Sequence, residues 1–224
     1  MRLTLPTPGE RNHGGNRLLQ GRGRRAGCRR SGFRGCLVKL PSFVRQMVAP
    51  GDLAREKHLK TFRAEIQAAA ASGDRSRIET LLDRPKQLGL DAEDAALECE
   101  HLAGLLAAAD LRERLARGEP LEVIPTRHPA ITGERCHFLA PASSPDGLMD
   151  QGGKLFLTDR RILYLGASKL EAEWRQVTEV RDQERDIFLT VQPLDLLRVR
   201  FNSYVDALRA AEIARYLSRS PRNR

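Results

Sequence analysis

The sequence has little of what usually announces an enzyme, a secreted scaffold or a membrane protein. Its four cysteines, Cys28, Cys36, Cys99 and Cys136, are too few and too scattered for a disulfide framework, and a reducing cytoplasm is the compartment this usage favours. No stretch approaches eighteen uninterrupted apolar residues, so no transmembrane helix is expected. Leu37–Val48 is interrupted by Lys39, Arg45 and Gln46 and does not make a signal-peptide core. The five histidines form neither H-x-x-x-H nor H-E-x-x-H. Cys28 and Cys36 stand seven residues apart with no second close pair, which argues against a structural zinc site, and His13 adds little. Gly21-x-Gly23 and Gly152-Gly153 lack the Lys-Ser/Thr that follows a phosphate-cradling loop. No cofactor is therefore expected.

Acidic residues are almost missing from one part of the chain. Residues 1–46 carry eleven Lys and Arg against a single Glu, whereas the other 178 residues are nearly balanced, with 27 basic and 28 acidic side chains. The formal net charge of +9 thus belongs to the N-terminal tail. Its Arg/Gly-rich run, Gly21 to Arg30, cannot bury enough apolar surface to offset ordering, and disorder is expected over 1–46. Met47 opens Met-Val-Ala-Pro-Gly-Asp, so this tail is either a disordered basic arm or sequence upstream of the true start. Only as a real arm would it neutralise nucleic-acid phosphates, with Phe33 and Phe43 as its sole aromatics, or equally attract an anionic membrane.

From Asp52 the apolar period becomes helical. Leu53, His58, Leu59, Phe62 and Ile66 predict a helix running to Gly73. Ser76 to Glu79 resembles a capping box before a short helix limited by Pro85. A longer helix is predicted from Asp91 to about Arg117, with Leu97, His101, Gly104, Leu105, Ala108, Leu111 and Leu115 as one apolar stripe. The segment 52–118 reads as a helical hairpin or small bundle that packs on the rest of the chain or on a second copy of itself, a homodimer.

After Pro120 the pattern changes to short strands: 121–124, 135–140, 154–158, 161–165, 170–174, 177–181, 187–192 and 196–201. Small polar turns separate them, which predicts an antiparallel curled sheet or partly open barrel. Ser203 to Asp206 then resembles a capping box for a last helix carrying Val205, Leu208, Ile213, Tyr216 and Leu217, and residues 218–224 form a basic tail. The fold class is α+β. Leu155, Leu157, Ile162, Tyr164, Trp174 and Leu208 are the expected core.

Gly153-Lys-Leu-Phe-Leu-Thr-Asp-Arg-Arg-Ile-Leu-Tyr164 resembles the G-x-L-x-L-T-x-x-R-[IL]-x-[FY] pattern of GRAM and bacterial pleckstrin-homology-like domains. Glu134-Arg-Cys-His-Phe and Glu173-Trp-Arg-Gln-Val-Thr-Glu-Val are similar to the flanking strands of that family. The resemblance covers residues 120–217. It implies a β-barrel with a C-terminal helix, serving as a non-catalytic adaptor that binds a protein segment or an anionic membrane surface. The basic residues it suggests for a ligand rim are Lys154, Arg160, Arg161, Lys169 and Arg175, with Arg198 and Arg200 further along. Arg127 lacks the basic pattern of a headgroup loop, and residues 120–224 hold 16 basic against 14 acidic side chains, so an ordinary solvated surface competes with the rim. Cys136 and His137 are neighbours on a strand and should point to opposite faces, which prevents a nucleophile–base pair.

Overall fold

A computed structural model describes residues 50–145, 152–167, 169–193 and 195–220. Contacts divide the chain into Met1–Arg45 and Gln46–Arg224, and the architecture below belongs to the second unit. The expectations for the basic arm, for Cys28 and Cys36 and for the start at Met47 lie outside the described residues.

Four helices come first: α1 (Pro50–Ser72), α2 (Arg75–Thr80), α3 (Arg84–Gln87) and α4 (Ala96–Ala116). Phe62, Ile66 and Ala69 of α1 recur every three or four residues and are buried with Ile78, Leu90, Ala95 and Leu102, so this segment has a core of its own. Several boundaries differ from the sequence expectation. Asp74, not Ser76, caps α2, its Oδ1 accepting the Ser76 amide at 2.9 Å. Pro85 does not close that helix but stands in the first turn of α3, where its missing N–H costs nothing. Helix α4 starts at Ala96 rather than Asp91, because the preceding residues turn and Arg55 of α1 holds Asp91 and Asp94. Leu53 and Leu97 are exposed, while Leu102 is buried. The single stripe expected on α4 is in fact two faces. Leu102, Leu105 and Leu106 meet the α1–α3 core, and Leu111 and Leu115 pack on the core of the β domain.

The β domain follows as β1 (Cys136–Ser143), β2 (Gly153–Thr158), β3 (Arg161–Leu165), β4 (Lys169–Glu173), β5 (Val177–Gln183), β6 (Asp186–Val191) and β7 (Asp195–Phe201), closed by helix α5 (Tyr204–Arg219). All pairs are antiparallel, in the order β4-β3-β2-β1-β7-β6-β5. Side chains from all seven strands and α5 meet in one core, so the sheet curls around it, and this is the pleckstrin-homology-like architecture that the motif implies. The six expected core residues are all buried. Trp174 Nε1 donates to the Thr158 carbonyl at 2.8 Å, and Tyr164 Oη donates to that of Ala142 at 3.3 Å, so each polar tip is satisfied. Residues 121–124 form no strand. They run beside β1 with single bonds, the Ile124 amide donating to the Cys136 carbonyl at 2.7 Å.

Cys136 and His137 also differ from expectation, since both are buried. The β1–β2 register jumps from Cys136↔Thr158 to Phe138↔Leu157, so His137 is an extra residue in a bulge. Cys136 therefore joins Ile131, Phe156 and Leu163 on one side of the sheet, and Phe138 enters the main core on the other.

Helix α5 is buried on two sides. Ala207, Ala210, Ala211 and Ala214 let it lie close on the sheet. Opposite, α4 crosses it at Gly104, where a Cβ would stand 3.0 Å from the carbonyl carbon and oxygen of Tyr204 and from Leu208 Cδ1. Ser203 caps α5 by accepting the Asp206 amide at 3.0 Å, and Glu100 of α4 accepts the Tyr204 amide at 2.7 Å. Replacing Gly104 by Val should cost about 1–3 kcal/mol in urea denaturation, because backbone rather than a flexible side chain must move. Gly104→Ala should cost less, since the better helix propensity of Ala returns about 1 kcal/mol.

Candidate functional site

The five basic residues suggested for a rim fall at two ends of one hairpin. Lys154 and Lys169 lie at one level, because Leu165 is in register with both. Arg160 and Arg161 lie at the β2–β3 turn, and Arg175 follows β4 beside Glu173, the register partner of Arg161. The rise of about 3.3 Å per residue along β2 keeps the two groups more than about 10 Å apart.

Most of these cations already have carboxylates. Arg161 is the most engaged: it bridges Glu134 and Glu171, each at 2.7 Å, and donates to the Ala130 carbonyl at 2.9 Å. It ties the 129–131 turn to the sheet. Lys169 pairs with Glu171 at 2.7 Å, and Arg175 with Glu173 at 2.5 Å. Arg198 and Arg200 converge on buried Asp186 at 2.5 and 2.7 Å. Burial alone would raise the Asp186 carboxyl, but the hydrogen bonds and charges of Arg200 and Arg198 outweigh it and hold it below the usual aspartate range. Lys154 and Arg160 are exposed and have no carboxylate within ion-pair distance among the described residues. The structure does not gather the five into one anion-binding rim.

A concave surface forms elsewhere, between the edge strand β5 and α5. This cleft of about 740 Å³ has Trp174, Val177 and Val180 on one side and Arg215, Ser218 and Arg219 on the other. Strand β5 pairs with β6 alone, so its outer edge carries backbone groups that no strand satisfies. A register shift between Val177 and Glu179 bends the strand at that edge. Arg215 sets the opposite wall: it pairs with Asp182 of β5, donates to Glu212 at 2.8 Å and reaches the Val180 carbonyl at 3.4 Å. Glu212 is in turn held by Arg112 of α4 at 2.5 Å, so the helical segment fixes this wall from behind. The sequence held a partial signal for the groove. Strand β5 is polar at five of its seven positions, Val177 and Val180 being the exceptions, but its place at the sheet edge depends on the order of the other six strands.

Neither described cysteine is tuned as a nucleophile. Burial pushes the Cys136 thiol up, and burial with the nearby Glu98 charge does the same to Cys99. His101 stacks on Tyr204 with ring centroids 4.4 Å apart, and burial lowers its pKa. Among the described residues no group of three or more His, Cys, Asp and Glu side chains is placed to hold a metal ion, and no helix is long and apolar enough to cross a membrane.

No family model matches this chain, and no curated protein matches it. Solved structures do. The C-terminal domain of an unknown protein from Leishmania infantum is 15% identical with a TM-score of 0.34, over 40% of this chain and 89% of that one. The PDZ-RhoGEF DH/PH domains in complex with GTP-gamma-S activated RhoA are 10% identical with a TM-score of 0.36, over 65% of this chain. Vav1 with an allosteric inhibitor is 14% identical with a TM-score of 0.32, over 68% of this chain. The chain spans 52% of the DH/PH structure and 45% of the Vav1 structure, and what those proteins bind is a property of those proteins.

Two stability measurements test the roles of these pairs. Arg161→Ala should lose about 2 kcal/mol, because Glu134 is left buried without its partner. Lys154→Ala and Arg160→Ala should stay within about 0.5 kcal/mol of the parent. Asp186 has a folded pKa below its unfolded value, so its contribution is present above about pH 4 and is lost as pH falls through the folded value. Asp186→Asn should therefore lower the urea midpoint at neutral pH, and its midpoint should fall less steeply than the parent's as pH drops below about 4.

Proposed function

We propose that this chain is a non-catalytic adaptor whose pleckstrin-homology-like domain takes an extended protein segment in the groove between β5 and α5. The observation that carries the reading is the open edge of β5 beside a cleft whose other wall is α5. Backbone groups on such an edge recruit a further strand, and side-chain pockets beside it choose among sequences. The half-buried Val180 suits one apolar side chain, while Arg219, with no carboxylate partner among the described residues, favours an acidic residue at the rim.

The membrane alternative has less support, since Arg161, Lys169 and Arg175 are spent on carboxylates. The nucleic-acid alternative rests on residues outside those described. Assignment to GRAM domains proper rests on the Gly153–Tyr164 motif, and a cytoplasmic location rests on the sparse cysteines. The homodimer expected through 52–118 would have to use the exposed Leu53, Leu82 and Leu97, because the other apolar side chains of that segment are committed to its own core and to α5. Light scattering should give the mass of a monomer.

Panning a random peptide display library on the full chain tests the groove. The expected peptides bind with Kd near or below about 100 μM and protect the amides of residues 177–183 from hydrogen exchange. Val180→Asp should weaken them by about tenfold or more. Peptides that protect another surface, or sedimentation with anionic vesicles at physiological salt when no peptide is enriched, would overturn the reading.

A further inference from the structure

The β5–β6 hairpin decides which way each residue of the edge strand points. Glu184 and Arg185 alone join Gln183 to Asp186, so that flanking pair exchanges hydrogen bonds, and so do Arg181 with Phe188 and Glu179 with Thr190. The backbone groups of Val180 and Asp182 therefore point away from β6. Arg215 confirms the direction, since its Nε donates to the Val180 carbonyl at 3.4 Å. That bond is long and a carbonyl has a second lone pair, so a further donor can still reach it. Outside the β5–β6 ladder neither amide has an acceptor among the described residues.

Side chains alternate with the backbone. Val180 packs on the core of the β domain and Asp182 pairs with Arg215, whereas Glu179, Arg181 and Gln183 stand exposed on the other face. Glu179 and Arg181 hold each other at 2.6 Å, with 45% and 71% of their side chains exposed. Such a pair in water contributes little and exchanges readily for a cross-strand partner. An antiparallel strand bonded to Val180 and Asp182 sets its own residues opposite Glu179 and Arg181 at non-hydrogen-bonded positions. There the facing side chains come closest.

Resting on β5 as the edge that takes a protein segment, we infer that the segment runs antiparallel to β5 and carries an acidic–apolar–basic triplet, read from its N-terminus. The acidic residue lies opposite Arg181, the apolar one opposite the half-buried Val180 and the basic one opposite Glu179. Every pair in this sheet is antiparallel, and only that direction lets Val180 exchange both of its bonds with one residue. The reversed order would set like charges against each other on both flanks. Strand β5 itself reads Glu179-Val180-Arg181 and so fits its own pattern. Pairing two copies about Val180, however, brings both Arg215 side chains to one side of the joined strands, and their repulsion opposes self-association.

Fluorescence anisotropy on the full chain tests this with short threonine-rich peptides that differ only in a central Glu-Val-Lys, the reversed Lys-Val-Glu or the neutral Gln-Val-Gln. At low salt Glu-Val-Lys should bind about tenfold more tightly than Lys-Val-Glu, with Gln-Val-Gln between them, and the spread should shrink toward about 1 M salt. The double exchange Glu179→Arg with Arg181→Glu keeps an exposed pair on the strand. It should invert the order of the charged peptides while leaving the urea midpoint where it was. Val180→Asp should weaken all three. An order unchanged by the double exchange, while Val180→Asp still weakens binding, overturns the triplet and leaves the groove standing. Lys-Val-Glu as the tighter binder overturns the antiparallel direction. Binding that ignores Val180→Asp places the peptides elsewhere and overturns triplet and groove together. If none binds up to about 1 mM while library peptides protect residues 177–183, the triplet alone falls. A dimer mass that Val180→Asp abolishes assigns the edge to a second copy and overturns the partner segment.

Discussion

The fold turns on one helix that has to be buried twice. Helix α5 closes the curled sheet with a row of alanines, and the same helix receives α4 on its outer side at Gly104. Neither contact tolerates bulk, because both are backbone approaches rather than meetings of side-chain tips. Polar groups then fix the angle of crossing. Glu100 takes the free amide of Tyr204 at the start of α5 while also pairing with Arg185, and Arg112 holds Glu212 toward its end. The helical segment is thus a strut on the β domain. Its own core of Phe62, Ile66 and Leu102 keeps that strut rigid.

The charge pattern follows the same logic. An overall excess of cations suggests an anionic ligand, yet the arginines of the β domain mostly hold parts of the fold together. Arg161 anchors a turn through two carboxylates and a carbonyl, and Arg198 with Arg200 neutralises a buried aspartate. Such pairs add little net stability, but removing one partner strands the other in a poor solvent. A cation counts toward ligand binding only after its internal partners have been subtracted, and in this domain the subtraction moves attention from the sheet surface to α5.

What could be read from the sequence was whatever a local period or motif encodes. Leu155, Leu157, Ile162, Tyr164 and Trp174 alternate or cap a strand, and all lie in the core as expected. The missing features each need information from a distance. The inward turn of His137 comes from a bulge, which exists only when β1 is laid against β2. The two faces of α4 cannot be distinguished until both the helical core and α5 are present, because Gly104 and Leu102 simply read as small and apolar. The preference for Asp74 over Ser76 as a cap turned on two residues of similar capping strength, where the geometry of the preceding Gly73, at φ +65°, decides. The scattering of the suggested rim residues is a matter of register: spacing along a hairpin tells which residues are near in sequence, not which end of the sheet each occupies.

The last turn of α5 shows how one short element serves two surfaces. Arg215, Ser218 and Arg219 are spaced i, i+3 and i+4 and look into the groove beside β5. Tyr216 and Ser220, spaced i and i+4, together with Leu217, look into a second cleft beside His137. The helical period, about 100° per residue, sorts neighbouring residues onto separate walls without any break in the chain. It also explains why the hydrophobic pattern is weakest there. Between two clefts the helix needs only Leu217 as an anchor, buried to 5% exposure, and the positions around it are released from packing. The polarity of this turn, which in sequence looks like a fraying end running into a basic tail, is what a helix must have when both of its flanks are open.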